Sequence, residues 1–289
     1  MIIVTGASGQ LGRAVLGDLL ERVPVEQVGV SARDPGRLAG LQERGVRVRP
    51  GDYADRASLD EAFAGASTVL IVSANSTGGE AVRLHRTAIE AATAAGAKRI
   101  VYTSHMGAGG ASPFPPMPDH AATEEALRES GTRYTVLRNG FYAATVPMLL
   151  RHALTTGELR VPADGPVAWT THADLAEAAA RILADDPYGD DRTPPLTGPA
   201  AVDMARVAEL ASEITGRPLR HIVVPDEEYR AGLLAAGLPT AAADMLVGLF
   251  AASRLGDFGP ADPALGELLG RSPVTIEDYL RGALTGAAV

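Results

Sequence analysis

Cysteine is absent from the 289-residue sequence. Disulfide bonds, thiolate nucleophiles and metal sites with cysteine ligands are therefore excluded. A chain with no thiols is compatible with a reducing compartment, and we expect a cytoplasmic protein.

Clustered positive charge is also absent. The sequence has 26 Lys and Arg against 35 Asp and Glu, which gives a net charge of −9, and no block of basic residues interrupts this balance. Binding to a nucleic-acid backbone depends on such clusters. We expect no nucleic-acid partner.

Long hydrophobic runs are missing as well. The most apolar stretch, Ala241–Ser253, is too short to span a bilayer and contains Asp244. The start, "MIIVTGASG", has no basic segment and reads as a strand rather than a signal peptide. We expect no membrane span and a buried or dimer-forming helix at the apolar stretch; no motif decides whether a homodimer forms.

The first half of the chain alternates short β-branched runs, such as "MIIVTG", "STVLIVSA" and "RIVYTS", with helical patterns. This alternation predicts βαβ units and an α/β fold with a doubly wound parallel sheet of the Rossmann type. Residues 1–142 are the expected dinucleotide-binding core. Residues 143–289 are expected to form mainly a smaller, helical substrate lobe with segments returning to the core, and with short strands at "ELRVP", "TPPLTG" and "LRHIVV".

A glycine-rich loop follows the first strand. "VTGASGQLGRAV" has G-x-x-G-x-x-G spacing between a strand and an amphipathic helix, where glycines allow a tight turn and free helix N–H groups attract a pyrophosphate. The two-residue first gap is typical of short-chain dehydrogenase relatives. The predicted cofactor-binding residues of this loop are Gly6, Ser8, Gly9, Gln10, Leu11 and Gly12.

The second strand ends in a basic residue. An acid at this position would bond the adenosine ribose and favour NAD(H), whereas Arg33 in "VGVSARDP" can contact a 2′-phosphate. We therefore expect NADP(H) to be preferred over NAD(H), with Arg37 as a weaker second candidate. A solvated charge at the strand end is the alternative interpretation of Arg33.

The next two strand ends supply further cofactor candidates, because ligands of such sheets lie at the carboxyl ends of the strands. Asp52 and Tyr53 are placed to reach the adenine, although Asp52 is equally typical of an Asx turn. Ser73, Ala74 and Asn75 are expected beside the middle of the cofactor.

The expected catalytic region follows the fifth strand. Ser104 lies where short-chain dehydrogenases use a Ser or Thr to polarise a carbonyl, and a Tyr four residues before a Lys then supplies the proton. If His120 occupies the Lys position, the Tyr position holds Pro116, which cannot donate a proton. Reduction of an ordinary ketone is therefore disfavoured. His120 is expected to donate a proton, to orient a ligand or to pack at the helix start, and Asp119 to cap that helix.

Together the stretches "VTGASGQLG", "GDYAD", "YTSHM", "DHAATEEALRESGTRYTVLRNGFY", "HADLAEAAARIL" and "GLPTAAADML" resemble the NmrA-like atypical short-chain dehydrogenases/reductases. They are most similar to the type-2 NAD(P)H:quinone oxidoreductases. The resemblance spans nearly the whole chain, and it implies flavin-free reduction of quinones by NADPH. It also implies that Asn139 and Gly140 lie near the nicotinamide and that Phe141 and Tyr142 face the acceptor. Members usually have Trp where Phe141 stands, which allows a different acceptor size.

Quinone reduction also fits the residues themselves. The oxygen formed is phenolate-like and its charge is delocalised, so water, Ser104 or a neutral His can handle its proton. The missing Tyr-Lys pair also fits an alternative, a non-catalytic NADP(H)-binding redox sensor that acts on a protein partner. The resemblance implies a further alternative, a dye reductase of the same branch. Met106 is a candidate for the acceptor pocket, although core packing explains it as well. The histidines show no ligand spacing, so we expect no metal.

Overall fold

The computed structural model describes residues 1–189 and 191–286. Strands alternate with helices along most of the chain. The strands are β1 (Ile2–Thr5), β2 (Val28–Ala32), β3 (Arg47–Pro50), β4 (Thr68–Ile71), β5 (Arg99–His105), β6 (Tyr134–Asn139), β7 (Glu158–Val161), β8 (Asp191–Arg192) and β9 (Arg220–Val223). The helices are α1 (Gln10–Leu20), α2 (Ala39–Glu43), α3 (Arg56–Phe63), α4 (Gly79–Ala94), α5 (Pro116–Glu129), α6 (Thr145–Leu150), α7 (Ala153–Thr156), α8 (His172–Asp185), α9 (Met204–Thr215), α10 (Asp226–Ala235), α11 (Thr240–Arg254), α12 (Ala264–Leu269) and α13 (Ile276–Thr285).

A seven-stranded sheet forms the centre of the molecule, in the order β3-β2-β1-β4-β5-β6-β8. Each of its strand pairs is parallel. The strand order reverses between β1 and β4, and a crevice opens at such a reversal, outside the carboxyl ends of the strands. The predicted doubly wound parallel sheet is confirmed.

Helices cover both faces of this sheet. Successive side chains of a strand point to opposite faces, so Val4 packs in the core with α1 and α8, while Ile3 packs in the core with α3 and α4. Both are fully buried, and each contributes roughly 1.5–3 kcal/mol by its removal from water. A strand buried on both faces needs a continuous apolar run, and "MIIV" provides one.

The C-terminal half adds a third hydrophobic core, which contains Trp169, Phe250 and Leu280. Its segments also return to the first half, because α8 packs on α1 and β8 extends the sheet beside β6. The predicted division at residues 142 and 143 stays a prediction. Asp190 and residues 287–289 of the predicted C-terminal segment lie outside the described residues.

Two of the three short strands predicted in this half are present. "ELRVP" forms β7 and "LRHIVV" forms β9, and the two pair in parallel as a separate sheet. The strand predicted at "TPPLTG" is wrong, because this stretch makes only an isolated bridge between Leu196 and Asn139, after the two residues of β8. Pro194 and Pro195 lack the N–H groups that a strand ladder requires.

The apolar stretch Ala241–Ser253 lies within α11. Its buried members include Leu249 and Phe250, which join the third core. Across the described ranges, no helix has both the length and the hydrophobicity needed to cross a bilayer.

Candidate functional site

A cavity of about 520 Å³ lies at the carboxyl ends of the first strands of the sheet. Residues that follow β1, β2, β3 and β4 meet there, as the switch-point geometry requires. Of the predicted cofactor residues, the lining includes Gly6, Ser8, Gly9, Arg33, Asp52, Tyr53, Ser73, Ala74 and Asn75.

The glycine loop has a backbone that other residues would strain. Gly6 has a φ of +63°, in the left-handed region, and Gly9 N–H donates to its carbonyl oxygen at 2.9 Å. A Cβ added at Gly12 would lie 2.4 Å from that same oxygen, so the helix approaches the loop too closely for any side chain. The loop therefore holds the start of α1 directly behind the turn.

The N-terminus of α1 is open to an anion. The helix begins at Gln10 behind Gly9, and neither a capping side chain nor an acidic residue occupies its first turn. The free N–H groups and the helix dipole favour a phosphate there. Leu11 and Gly12 are buried beneath the loop rather than lining the cavity, so their predicted role is limited to their backbone.

Arg33 lines the cavity directly after β2, and its side chain is exposed. No acidic group pairs with it within the described part of the chain. Asp34, the adjacent acid, accepts from Gly36 N–H at 3.1 Å and pairs with Arg37 at 3.2 Å. The guanidinium of Arg33 is consequently available to an anion, whereas that of Arg37 already has a partner.

Asp52 and Tyr53 form the far wall of the cavity. Asp52 Oδ1 accepts from Ala54 N–H at 2.9 Å, which is the Asx turn that the sequence left open. The Tyr53 hydroxyl donates to Val72 O at 2.9 Å and lies 2.5 Å from Thr5 Oγ1, and burial raises the pKa of Tyr53. Tyr53 thus links the end of β1 to the residue that follows β4. Contacts of Asp52 or Tyr53 with an adenine stay predictions.

Buried side chains hold the loop that follows β4. Thr103 Oγ1 accepts from Ser73 N–H at 2.8 Å, and His85 Nε2 accepts from Ala74 N–H at 2.8 Å. These bonds fix the backbone of the predicted cofactor-middle residues while leaving Asn75 exposed.

Asp119, in α5, binds the last residue of the loop that follows β4. Its Oδ2 accepts from Gly78 N–H at 2.6 Å. The prediction that Asp119 caps its helix is wrong, because α5 begins earlier, at Pro116, where a proline ring preorganises the first helical turn. Asp119 lies within that turn, and its carboxylate holds the loop instead.

His120 ends a chain of buried hydrogen bonds. Its Nδ1 lies 2.8 Å from the Tyr102 hydroxyl, which lies 3.4 Å from His85 Nδ1; the latter also lies 2.9 Å from Thr123 Oγ1. Burial is the main cause that lowers the pKa of His85 to about 4 and the pKa of His120 to about 3. Both imidazoles are therefore neutral near pH 7.

The positions of the protons in this series of hydrogen bonds follow from the backbone N–H that donates to His85. His85 Nε2 accepts from a backbone N–H, so the proton of this neutral ring is on Nδ1. That proton is directed at Thr123 and Tyr102, and the hydroxyl of Tyr102 then needs an acceptor, because it is fully buried. Nδ1 of His120 is that acceptor. His120 consequently carries its proton on Nε2, which bonds no other group among the described residues.

Ser104 has a different partner from the one predicted. Its hydroxyl donates to Glu124 Oε1 at 2.7 Å, and the second oxygen of Glu124 accepts from Arg138 at 2.6 Å and pairs with Arg192 at 2.8 Å. Ser104 and Glu124 are both buried. A hydroxyl whose hydrogen is directed at a buried carboxylate is a poor donor to a carbonyl, so the arrangement does not support a catalytic Ser104.

An aromatic cluster lies beyond β5 and β6. The ring of His105 has its centroid 5.4 Å from that of Phe141 and 5.5 Å from that of Phe258, both edge-on, and Phe114 contacts all three rings. Phe141 is buried within this cluster. Tyr142 lies apart, with its ring centroid 4.2 Å from that of His172.

The predictions from sequence did not include His105, Phe114 and Phe258 as members of this cluster. His105 directly follows Ser104 at the end of β5, and that position was the available signal. Phe258 lies far along the chain and nothing local indicates it. Met106, a predicted pocket residue, is half-buried beside the cluster, and its N–H donates to Asn139 O at 2.8 Å.

Asn139 has an unsatisfied acceptor. Its side chain is buried and its Oδ1 has no hydrogen-bond partner, which is costly unless a ligand supplies a donor. Its amide group also bonds the Tyr142 hydroxyl, which counters the burial that raises the pKa of Tyr142. Gly140 has a packing explanation, because a Cβ there would lie 2.2 Å from Thr170 Oγ1.

No group of three or more His, Asp or Glu side chains within residues 1–189 and 191–286 is arranged to hold a metal ion. The expectation of a metal-free site stays a prediction.

The chain has clear relatives. A family model described as NAD(P)H-binding matches residues 6–186. The chain is 34% identical to quinone oxidoreductase 2 of Escherichia coli (strain K12) over 282 residues, which cover 96% of each sequence. It is 30% identical to an NmrA-like family domain-containing oxidoreductase of Aspergillus flavus over 290 residues, covering 98% of this chain and 94% of the relative.

Solved structures have the same fold. The Escherichia coli quinone oxidoreductase complexed with NADPH matches with a TM-score of 0.92 at 33% identity, covering 99% of this chain and 100% of the other. The Citrobacter sp. triphenylmethane reductase complexed with NADP(H) matches with a TM-score of 0.90 at 31% identity, covering 100% of both chains.

Proposed function

This chain belongs to the NAD(P)H-binding family of NmrA-like oxidoreductases, and we propose that it transfers hydride from NADPH, without a flavin, to a quinone or similar conjugated acceptor. The observation that carries this proposal is the hydrogen-bond chemistry beyond β5. His120 offers an N–H donor there, but its neutral imidazole is no acid near pH 7. Such a site can stabilise a developing oxyanion but cannot deliver a proton to it quickly.

The residues present fit a bound dinucleotide. The open N-terminus of α1 suits the pyrophosphate, and the unpaired guanidinium of Arg33 suits a 2′-phosphate. At the other end, the orphaned Oδ1 of Asn139 is an acceptor for the amide N–H of a nicotinamide carboxamide. When bound, NADPH supplies the hydride.

Tyr102 acts behind His120 as a positioning residue. By donating to Nδ1, its hydroxyl fixes the ring and directs the Nε2 proton outward. Burial raises the pKa of Tyr102, so this hydroxyl does not release its proton to relay one through His120. The pair therefore supplies an oriented dipole rather than an acid.

This chemistry selects the acceptor. Hydride addition to a simple ketone leaves a localised alkoxide, which needs an acid in the transition state. Hydride addition to a quinone leaves a phenolate-like oxygen, whose charge the ring delocalises and whose proton water can supply. The Escherichia coli and Citrobacter relatives are named for quinones and triphenylmethane dyes, which are conjugated acceptors of this kind.

The test follows absorbance of the reduced nicotinamide in the purified, flavin-free protein, with NADPH or NADH and with 1,4-benzoquinone or menadione. We expect quinone-dependent oxidation above the protein-free rate, faster with NADPH. A sensor would bind NADPH tightly and oxidise none of it at any quinone concentration, and that result would refute the reductase.

Variants of His120 test the role of its N–H group. His120→Phe removes the donor, and we expect kcat to fall about 100-fold while the Kd for NADPH is unchanged. His120→Gln keeps an N–H group and should retain more activity than the Phe variant. Equal activity in all three proteins would remove His120 from the mechanism.

A further inference from the structure

We propose that His105 is a second catalytic residue, whose Nε2–H donates, together with that of His120, to the acceptor oxygen that receives negative charge. This inference rests on the proposed function and adds to it a pair of neutral imidazole donors. One oxygen atom can accept both hydrogen bonds, because an oxyanion has more than one lone pair.

The hydrogen bonds of His105 fix its tautomer. Gly107 N–H donates to His105 Nδ1 at 3.2 Å, and a backbone amide can only donate. A neutral imidazole with an accepting Nδ1 carries its proton on Nε2. His105 and His120 therefore have the same tautomer, each held from the Nδ1 side.

The position of His105 is that expected for an acceptor-binding residue. It is paired with Asn139 in the register of β5 and β6, so it lies beside the residue with the orphaned Oδ1. Its ring centroid is 6.4 Å from that of His120. Neither Nε2 atom bonds another group in the described ranges, and neither is sealed from solvent.

The surroundings of His105 match a flat, apolar acceptor. Phe114, Phe141 and Phe258 are nearly or fully buried, whereas His105 and His120 are only partly buried. The two donors thus lie at the open edge of an aromatic wall. Arg138, whose charge acts on both imidazoles, is already bonded to Glu124, so the donors facing an acceptor are uncharged.

Uncharged donors fit the proposed acceptor class. They stabilise an oxygen most when its charge develops, whereas a fixed cation would also bind the many anions of a cell. A carbonyl conjugated with an aromatic-sized ring presents the required oxygen and a face for the aromatic wall. We therefore assign quinones and comparably flat conjugated carbonyl compounds as the ligands of this pair.

A role in packing the aromatic cluster would also explain the position of His105. Variants distinguish this packing role from the donor role. His105→Phe retains an aromatic ring in the cluster but removes the donor. His105→Gln retains an N–H group but removes the ring. We expect the Phe variant to lose about 10- to 100-fold in kcat with menadione, at unchanged NADPH affinity and thermal stability, and the Gln variant to lose less.

His152 provides the matched control, because it is exposed and distant in sequence from both donors. His152→Phe should have parent activity. Full activity of His105→Phe, or an equal loss in the Phe and Gln variants, would overturn the donor assignment.

A second measurement does not depend on turnover. 4-Nitrophenol carries a phenolic oxygen of the kind that quinone reduction produces, and its absorbance reports ionisation. In the complex of the protein with NADP⁺, we expect the parent to lower the pKa of the bound phenol relative to free phenol. His105→Phe and His120→Phe should each reduce this shift, and His152→Phe should not.

This probe distinguishes the two proposals. A parent protein that shifts the phenol but oxidises no NADPH with any quinone would refute the reductase and leave the donor pair supported. A parent protein that turns over quinones but binds the phenol without a shift, or fails to bind it, would refute the donor pair alone.

Discussion

Replacement of Arg33 should convert a preference for NADPH into near indifference between the two nicotinamide cofactors. Arg33 lines the cavity directly after β2, has no acidic partner among the described residues and is exposed. Hydrogen bonds to charged groups contribute about 1.5–3 kcal/mol, and exposure favours the lower part of that range. Arg33→Ala should therefore weaken NADPH binding by about 10- to 30-fold.

The assay is a fluorescence titration of the protein with NADPH and with NADH. Only the NADPH affinity should fall, because NADH lacks the 2′-phosphate. Arg37→Ala is the control, and we expect little change because that side chain already pairs with Asp34. Raising the salt concentration should weaken NADPH binding to the parent more than to Arg33→Ala. Equal losses for both cofactors, or no loss for NADPH, would refute the assignment.

Three further predictions concern the framework of the site. Gly12→Ala places a Cβ 2.4 Å from a backbone carbonyl oxygen of the loop, so it should lower Tm and weaken NADPH binding by more than tenfold. Gly17→Ala is the control: no atom lies within 4 Å of its Cβ, and it should leave NADPH binding unchanged and leave Tm unchanged or raise it. Glu124→Gln leaves the largely buried Arg138 and the more exposed Arg192 beside a neutral group, and it should cost about 1.5–3 kcal/mol in urea unfolding. Glu125→Gln on the exposed face should change stability by less than about 0.5 kcal/mol, and similar losses in the two variants would contradict the role of burial. Burial lowers the pKa of His85 to about 4, so the unfolded state binds a proton at this residue first as the pH falls. The free energy of unfolding should be constant above about pH 6.5 and fall as the pH drops toward 4, by about 2 kcal/mol at pH 5 for this residue. Equal unfolding free energies at pH 5 and pH 7.5 would refute this.

The sheet and the phosphate loop could be predicted because their signals are local. Apolar runs such as "MIIV" and glycines at fixed spacing act within a few residues of one another. The strand predicted at "TPPLTG" failed for an equally local reason, since its prolines remove the ladder donors.

The arrangement beyond β5 could be predicted only in part. The sequence identified His120, but Tyr102 as its partner follows from the packing of α5 against β5. Ser104 was expected to face the acceptor, yet the partner of a buried hydroxyl depends on which charged group the fold brings beside it, here Glu124. Phe258 reaches the site from the turn that follows α11, and no local pattern encodes such a contact.

Selectivity between acceptors tests the central claim most directly, because the claim is that the site has hydrogen-bond donors but no acid near pH 7. We would measure kcat/KM with NADPH for menadione and for cyclohexanone under identical conditions. We expect turnover of the quinone and no detectable reduction of the ketone. Comparable reduction of cyclohexanone would show that the site delivers a proton, and would refute a site with donors but no acid.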